Sequence, residues 1–129
     1  MAAAVVDVVA AVIERDGRYL ITRRLEGTHL AGLWEFPGGK ILPGEKPEDA
    51  LRRESKEELG VEATVGELIE TVDWTYPEKT VRILFFRCAV QGEPCPQERQ
   101  EMLWVEAAEL PAYRFPAADL GLVERLART

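Results

Sequence analysis

Basic residues are in short supply in this chain: 16 Lys and Arg stand against 23 Asp and Glu, a formal net charge of −7 over 129 residues. That balance argues against a nucleic-acid duplex or an anionic membrane as partner, since both need a surplus of cations on one face. Nor is there a run of the roughly 18 uninterrupted apolar residues that a membrane span requires. The opening MAAAVVDVVAAVIERD is apolar, but no basic segment precedes it and Asp7 interrupts it, so it reads as a β-strand rather than a secretory leader. Cysteine is scarce. Cys88 and Cys95 fit neither a metal nor a redox spacing and read as reduced thiols of a cytoplasmic protein. No internal repeat, linker or low-complexity segment divides residues 1–129, whose length suits one core and one domain.

What is present is a series of β-branched strands with helices inserted between them. Two strands flank the turn Asp16-Gly17, and a glycine-marked loop follows, with a short strand-like piece at residues 33–36. Residues 47–59 read as a helix: Pro47 suits its first turn, Glu48 and Asp49 its positive end, and Gly60 its stop, although Lys46 is a poor cap. EATVGELIETVDWTYP and KTVRILFFRCAV then read as strands joined near Pro77-Glu78. QGEPCPQERQ is a loop, EMLWVEA a strand and AADLGLVERLAR a short amphipathic helix. The pattern predicts an α+β chain in which a central mixed sheet lies between helices, an α/β/α sandwich.

The helix over residues 47–59 poses a physical problem. At about 100° per residue, Leu51, Ser55 and Leu59 share one side, while Glu54, Glu57 and Glu58 crowd an arc of about 100° near Ala50. Like charges at this spacing repel, by roughly 3 kcal/mol per pair at about 5 Å and an effective dielectric near 20. A solvated acidic face is the plain explanation. Gly38-Gly39 directly upstream favours another, because bare backbone can approach a ligand closely. Divalent cations such as Mg²⁺ take carboxylate oxygens and leave positions open for phosphates.

Gly39, Glu45, Arg53-Glu54, Glu57-Glu58 and Gly60 together resemble the Nudix box of the Nudix hydrolase family, and LITRR and WEFPGGK before it, with GEP, Trp104 and FPAA after it, resemble the MutT branch. RFPAAD has Asp119 where MutT carries an asparagine, and in that form, with LGVEATVGE, it also resembles CTP pyrophosphohydrolases of the same family. One position departs: Ser55 stands where the family usually has an aliphatic residue. Its hydroxyl is expected to bond back to the Leu51 carbonyl.

The resemblance implies a Nudix fold and a Mg²⁺-dependent hydrolase, with Mn²⁺ as a substitute, that converts nucleoside triphosphates to the monophosphate and pyrophosphate. Glu54, Glu57 and Glu58 become metal ligands, with a carbonyl near Gly39 and the distal Glu98, for which Glu101 is the alternative. Glu54 is the candidate general base, Glu57 and Glu98 the substitutes, and Arg53 is expected to pair with Glu57. Glu45 is assigned to the loop's structure. Arg24 contacts a phosphate or is a solvated surface residue. Phe36 lines the base pocket, packs in the core, or does both. Asp119 reads guanine or cytosine, or caps the last helix. Trp34 is expected in the pocket wall and His29 at the surface. The expected substrate is an oxidised purine triphosphate such as 8-oxo-dGTP, in a cytoplasmic monomer that cleanses the nucleotide pool and so supports DNA repair. CTP, another diphosphate compound, or a non-catalytic nucleotide-binding module are the alternatives.

Overall fold

The computed structural model describes residues 4–128. Strand β1 (Val5–Arg15) is the axis of the sheet; residues 1–3 of the opening that reads as a strand lie outside the described residues. β1 joins β2 (Arg18–Arg23) through Asp16 and Gly17, both at positive φ (54° and 78°), as a tight primed hairpin turn requires. β3 (Trp34–Glu35) and β4 (Gly38–Lys40) follow. Helix α1 (Pro47–Leu59) has the predicted boundaries, and Gly60 closes it at φ 67° with its N–H on the Lys56 carbonyl at 3.0 Å. β5 (Glu62–Thr75), β6 (Thr80–Gln91) and β7 (Met102–Glu106) complete the sheet. After a 3₁₀ segment at Ala107–Ala112, the last helix α2 (Leu120–Ala127) is entered through a 3₁₀ turn at Ala117–Asp119, so its α-helical part is shorter than predicted.

The sheet is mixed, as expected. β1 runs parallel to β6 from Val5↔Thr80 to Ile13↔Cys88, and β5 pairs antiparallel with β6 as the outer strand. The other edge of β1 is shared: β4 pairs with Val8, Val9 and Ala10, and β2 with Glu14 and Arg15. β7 pairs with β2.

Both faces of β1 are covered, which explains its continuous apolar run. Val9, Ala11 and Ile13 meet Ala50, Leu51 and Leu59 of α1 in one core; Ala10 and Val12 share the other with Leu122, Val123 and Leu126 of α2. The α/β/α layering follows from this division. Among the described residues no helix is long and apolar enough to cross a membrane.

Ser55 corrects one expectation. Its side chain is buried in the α1 core face, yet Oγ has no hydrogen-bond partner, so the bond to the Leu51 carbonyl is not made.

Candidate active site

Pairing of β4 with β1 brings the two glycines under α1. A Cβ on Gly38 would fall 1.9 Å from the Val9 carbonyl oxygen, and one on Gly39 would fall 2.4 Å from Cδ of Glu54. Only hydrogen fits at either place. The Gly38 N–H donates to Glu58 Oε2 at 3.2 Å. The acidic arc of α1 therefore divides: Glu54, 15% exposed, and Glu58 turn toward the glycine strand, whereas Glu57, 56% exposed, faces solvent.

Arg53 makes the expected pair with Glu57, at 3.4 Å, but its closer anchors lie elsewhere. Its Nε and Nη2 donate to the two carboxylate oxygens of Glu45, each at 2.9 Å, and Nη2 also reaches the Lys40 carbonyl at 3.0 Å. Nη1 donates to Glu54 at 2.8 Å and only distantly, at 3.4 Å, to Glu57. Glu45 is thus the principal partner, because a forked guanidinium matches a carboxylate in two bonds. These bonds, with one from the Leu42 N–H, hold the Glu45 carboxyl down at about 2. Glu45 keeps its structural part and gains a share in positioning Glu54 through Arg53.

A cavity of about 280 Å³ runs from Glu54, Glu58 and Gly39 to Phe36, Tyr76 and Asp119. Phe36 is both core and wall: it is buried, edge-on to Phe85 at 6.1 Å and tilted against Phe115 at 5.5 Å. Asp119 sits at the start of α2 without a side-chain capping bond, 5% exposed, which removes the capping alternative. Burial, then repulsion from Glu35, pushes its carboxyl up to about 8 despite Arg24 nearby.

Two further expectations change. His29 lines this cavity, meeting Tyr76 edge-on at 5.3 Å and Glu78 at 3.1 Å, while Trp34 packs on Tyr113 instead of forming the wall. Arg24 is not a solvated surface arginine either; it donates to the His29 carbonyl and, at 3.0 Å, to Glu35.

Glu35 was not singled out from the sequence, although a lone acid in the otherwise apolar WEFPGG was its signal. It stands between the acidic helix and Asp119, and burial raises its carboxyl above the ordinary value. Glu35, Glu58 and Glu98 share a second cavity of about 210 Å³ with Arg24. Glu101 instead pairs with Arg23 at 3.3 Å and lines neither cavity, whereas Glu98 lines the second. Burial first, then Glu35, Glu54 and Glu98, pushes Glu58 up to about 9.

Among the described residues no group of three or more His, Cys, Asp or Glu side chains closes on a single point. Arg53 holds Glu54 and, at 3.4 Å, the solvent-facing Glu57, while the Gly38 N–H holds Glu58. The donor set nonetheless fits a hard divalent cation: it is all oxygen, and burial together with neighbouring acids raises the Glu54 and Glu58 carboxyls above their ordinary values, a cost that positive charge relieves.

Carboxylates on a helix, a glycine strand beneath them and an aromatic cavity beyond define a protein built to bind a phosphorylated ligand with a cation. A NUDIX domain family model matches residues 8–125, and the chain belongs to that family. It is similar to the 8-oxo-dGTP diphosphatase of Haemophilus influenzae, 42% identical over 95% of this chain and 91% of that one. It is 38% identical to the CTP pyrophosphohydrolase of Escherichia coli over 92% of this chain and 89% of that one. A crystal structure of the MutT protein from Methanosarcina mazei superposes with a TM-score of 0.88 at 28% identity, covering 99% of this chain and 96% of that one. Within its family the chain is a MutT-like Nudix hydrolase.

Proposed function

We propose that this enzyme is a Mg²⁺-dependent pyrophosphohydrolase of nucleoside triphosphates, with an oxidised guanine nucleotide such as 8-oxo-dGTP as preferred substrate. The observation that carries the proposal is the continuity of one cavity from Glu54 and Glu58 to the buried Asp119. Glu54, Glu57, Glu58 and Glu98 hold Mg²⁺ with the Gly39 carbonyl, and Mn²⁺ substitutes for it. When bound, the cation offsets the phosphate charges and acidifies a water molecule.

The remaining work belongs to the chain's own side chains. Arg53 fixes Glu54, which accepts the proton of the attacking water. Arg24, lining both cavities, binds a phosphate oxygen while Glu35 restrains its guanidinium. Phe36 presents its ring to the base, a contact that tolerates many bases.

Asp119 supplies the hydrogen-bonding edge. With its carboxyl raised to about 8, it enters the cavity as an acid at neutral pH. In that form it both donates and accepts. The O–H meets guanine O6 while the second oxygen accepts from N1–H. This restores the donation to O6 that a carboxylate lacks. The same pair of groups also meets N3 and the amino group of cytosine, so CTP or a modified dCTP is the second reading. In its proposed role the enzyme acts as a cytoplasmic monomer that cleanses the nucleotide pool and so supports DNA repair.

The test is pyrophosphate release from a panel including 8-oxo-dGTP, dGTP and CTP, with and without Mg²⁺, using Glu58→Gln as control. Mg²⁺-dependent release led by 8-oxo-dGTP and lost in the variant is expected. A lead by CTP transfers the assignment to the second reading, and no release from any triphosphate removes both.

A further inference from the structure

The distal acid has no anchor of its own. Glu98 is exposed, and among the described residues its carboxylate makes no hydrogen bond or ion pair. Its proposed duty nevertheless requires it to meet Glu58 across a gap of 40 residues in sequence. An exposed glutamate on a loop has several rotatable bonds and pays for each that is frozen. Something else must limit where its backbone stands.

Gln100 does this. It is 9% exposed, and both ends of its amide are used. Nε2 donates to the Glu58 carbonyl at 2.9 Å, and Oε1 accepts the Glu98 N–H at 2.9 Å. One side chain thereby ties the main chain of the distal acid to the main chain of a box acid. The same Glu58 carbonyl also accepts the Gln97 N–H at 2.9 Å, and Leu59 accepts from Cys95 at 2.9 Å. These carbonyls are open because the last turn of α1 leaves them without helical partners. The loop after β6 fills the vacancy.

Arg99 shows that the fit is enforced. It stands at φ 63°, a left-handed conformation that a non-glycine residue adopts only under constraint. That turn places residues 98 and 100 so that the Gln100 side chain folds back onto the Glu98 N–H. Beyond it, the Glu101 carbonyl accepts from Arg23 N–H at 3.0 Å, which fastens the loop's other end to β2.

We infer that Gln100 is a positioning residue, whose amide couples the Glu98 backbone to the end of α1 and so sets the distal acid against the box glutamates. The inference rests on the reading of Glu98 as a metal-holding residue. Gln100 touches neither substrate nor cation in it; it acts through Glu98. An isosteric side chain without polar atoms fills the same space but releases the Glu98 N–H.

The experiment is a double-mutant cycle read by Mn²⁺ binding to the substrate-free protein, followed by electron paramagnetic resonance of the free ion. Gln100→Met, which keeps the length and secures folding, and Gln100→Ala are each compared with Glu98→Gln and with the double variants. Gln100→Met is expected to raise the Mn²⁺ dissociation constant about tenfold, within the range for residues that orient metal ligands. The double variant is expected to bind no more weakly than Glu98→Gln alone, because the lost position has nothing left to place. Amide exchange at Glu98 is expected to quicken in Gln100→Met. Wild-type affinity in folded Gln100→Met, or losses that add in the double variant, overturns the role of Gln100 while leaving Glu98 in place. Indifference of Mn²⁺ affinity to Glu98→Gln overturns the reading of Glu98 and this inference with it.

Discussion

Arg53 and Glu45 face each other in a two-pronged ion pair, both N···O distances being 2.9 Å. The remaining guanidinium hydrogens go to Glu54, to the Lys40 carbonyl and, at 3.4 Å, to Glu57. One planar cation therefore joins the loop before α1, strand β4 and the box glutamate nearest the glycines. Lysine has the charge but not the fork. Arg53→Lys is expected to lower kcat about 10- to 100-fold, the usual cost of loosening a ligand's support. Thermal unfolding should move little, and steady-state kinetics beside calorimetry will separate the two effects.

The two glycines should respond differently to one methyl group. In Gly39→Ala the Cβ meets the end of a flexible side chain, Glu54, which can swing away. The protein is expected to fold but to lose activity about tenfold or more, as metal ligands displaced from their supports do. In Gly38→Ala the Cβ meets the Val9 carbonyl oxygen at 1.9 Å, within the β1–β4 pairing. Strands must separate to admit it, at a cost of about 3 kcal/mol, the upper end of overpacking penalties. Parallel melting curves and rates for the two variants check the contrast.

Stability of the metal-free protein should fall as pH rises from 5 to 9. Glu58 and Asp119 hold their protons to about 9 and about 8 in the folded chain, against 4.5 and 3.8 as ordinary values. The folded state therefore binds more protons than the unfolded one throughout that window. The stabilisation is complete below the ordinary values and is lost as pH climbs through the raised ones. Glu45 works in the opposite sense, but its contribution is lost only as pH falls toward about 2. Melting temperatures in a chelating buffer should decline with pH, and Mg²⁺ should flatten the curve. A flat profile without metal would count against the crowded-acid picture.

Ser55→Ala should stabilise the fold. The buried Oγ lost its water on folding and found no partner, and alanine is the better helix former. A gain of about 1 kcal/mol, or about 4 °C in Tm for a chain of this size, is expected with activity unchanged. Differential scanning calorimetry reads it directly.

The parts of the fold legible in the chain are those written in neighbouring residues. Pro47, the acids after it and Gly60 bracket α1 at both ends; Asp16-Gly17 can turn only one way; and the apolar run of β1 announces a strand buried on both faces. The box glutamates, Arg53 and Phe36 were recognisable through their spacing and the resemblance it carries. The closest partner of Arg53 was not. Glu57 stands one helical turn away and was the local choice, yet Glu45 across the loop offers both oxygens in plane. His29 left the surface for a similar reason, since the loop between β2 and β3 turns at Leu30 and Gly32 and carries the histidine over the cavity, while Trp34 packs against the core instead of the cavity wall.

Spacing along one helix is a local quantity, and it was enough to predict acids gathered on one arc and to raise the question of what relieves their repulsion. Which of them turn inward is a long-range matter. It depends on β4 entering the edge of β1 that β2 leaves open, because that pairing alone puts glycines where Glu54 and Glu58 must pass. The meeting of Glu35, Asp119 and Glu98 around the same cleft likewise has no local signature: they come from β3, the entry to α2 and the loop before β7. Burial raises Glu35 and Asp119 above their ordinary values, Glu35 adding to the rise at Asp119, and no residue type carries that property by itself.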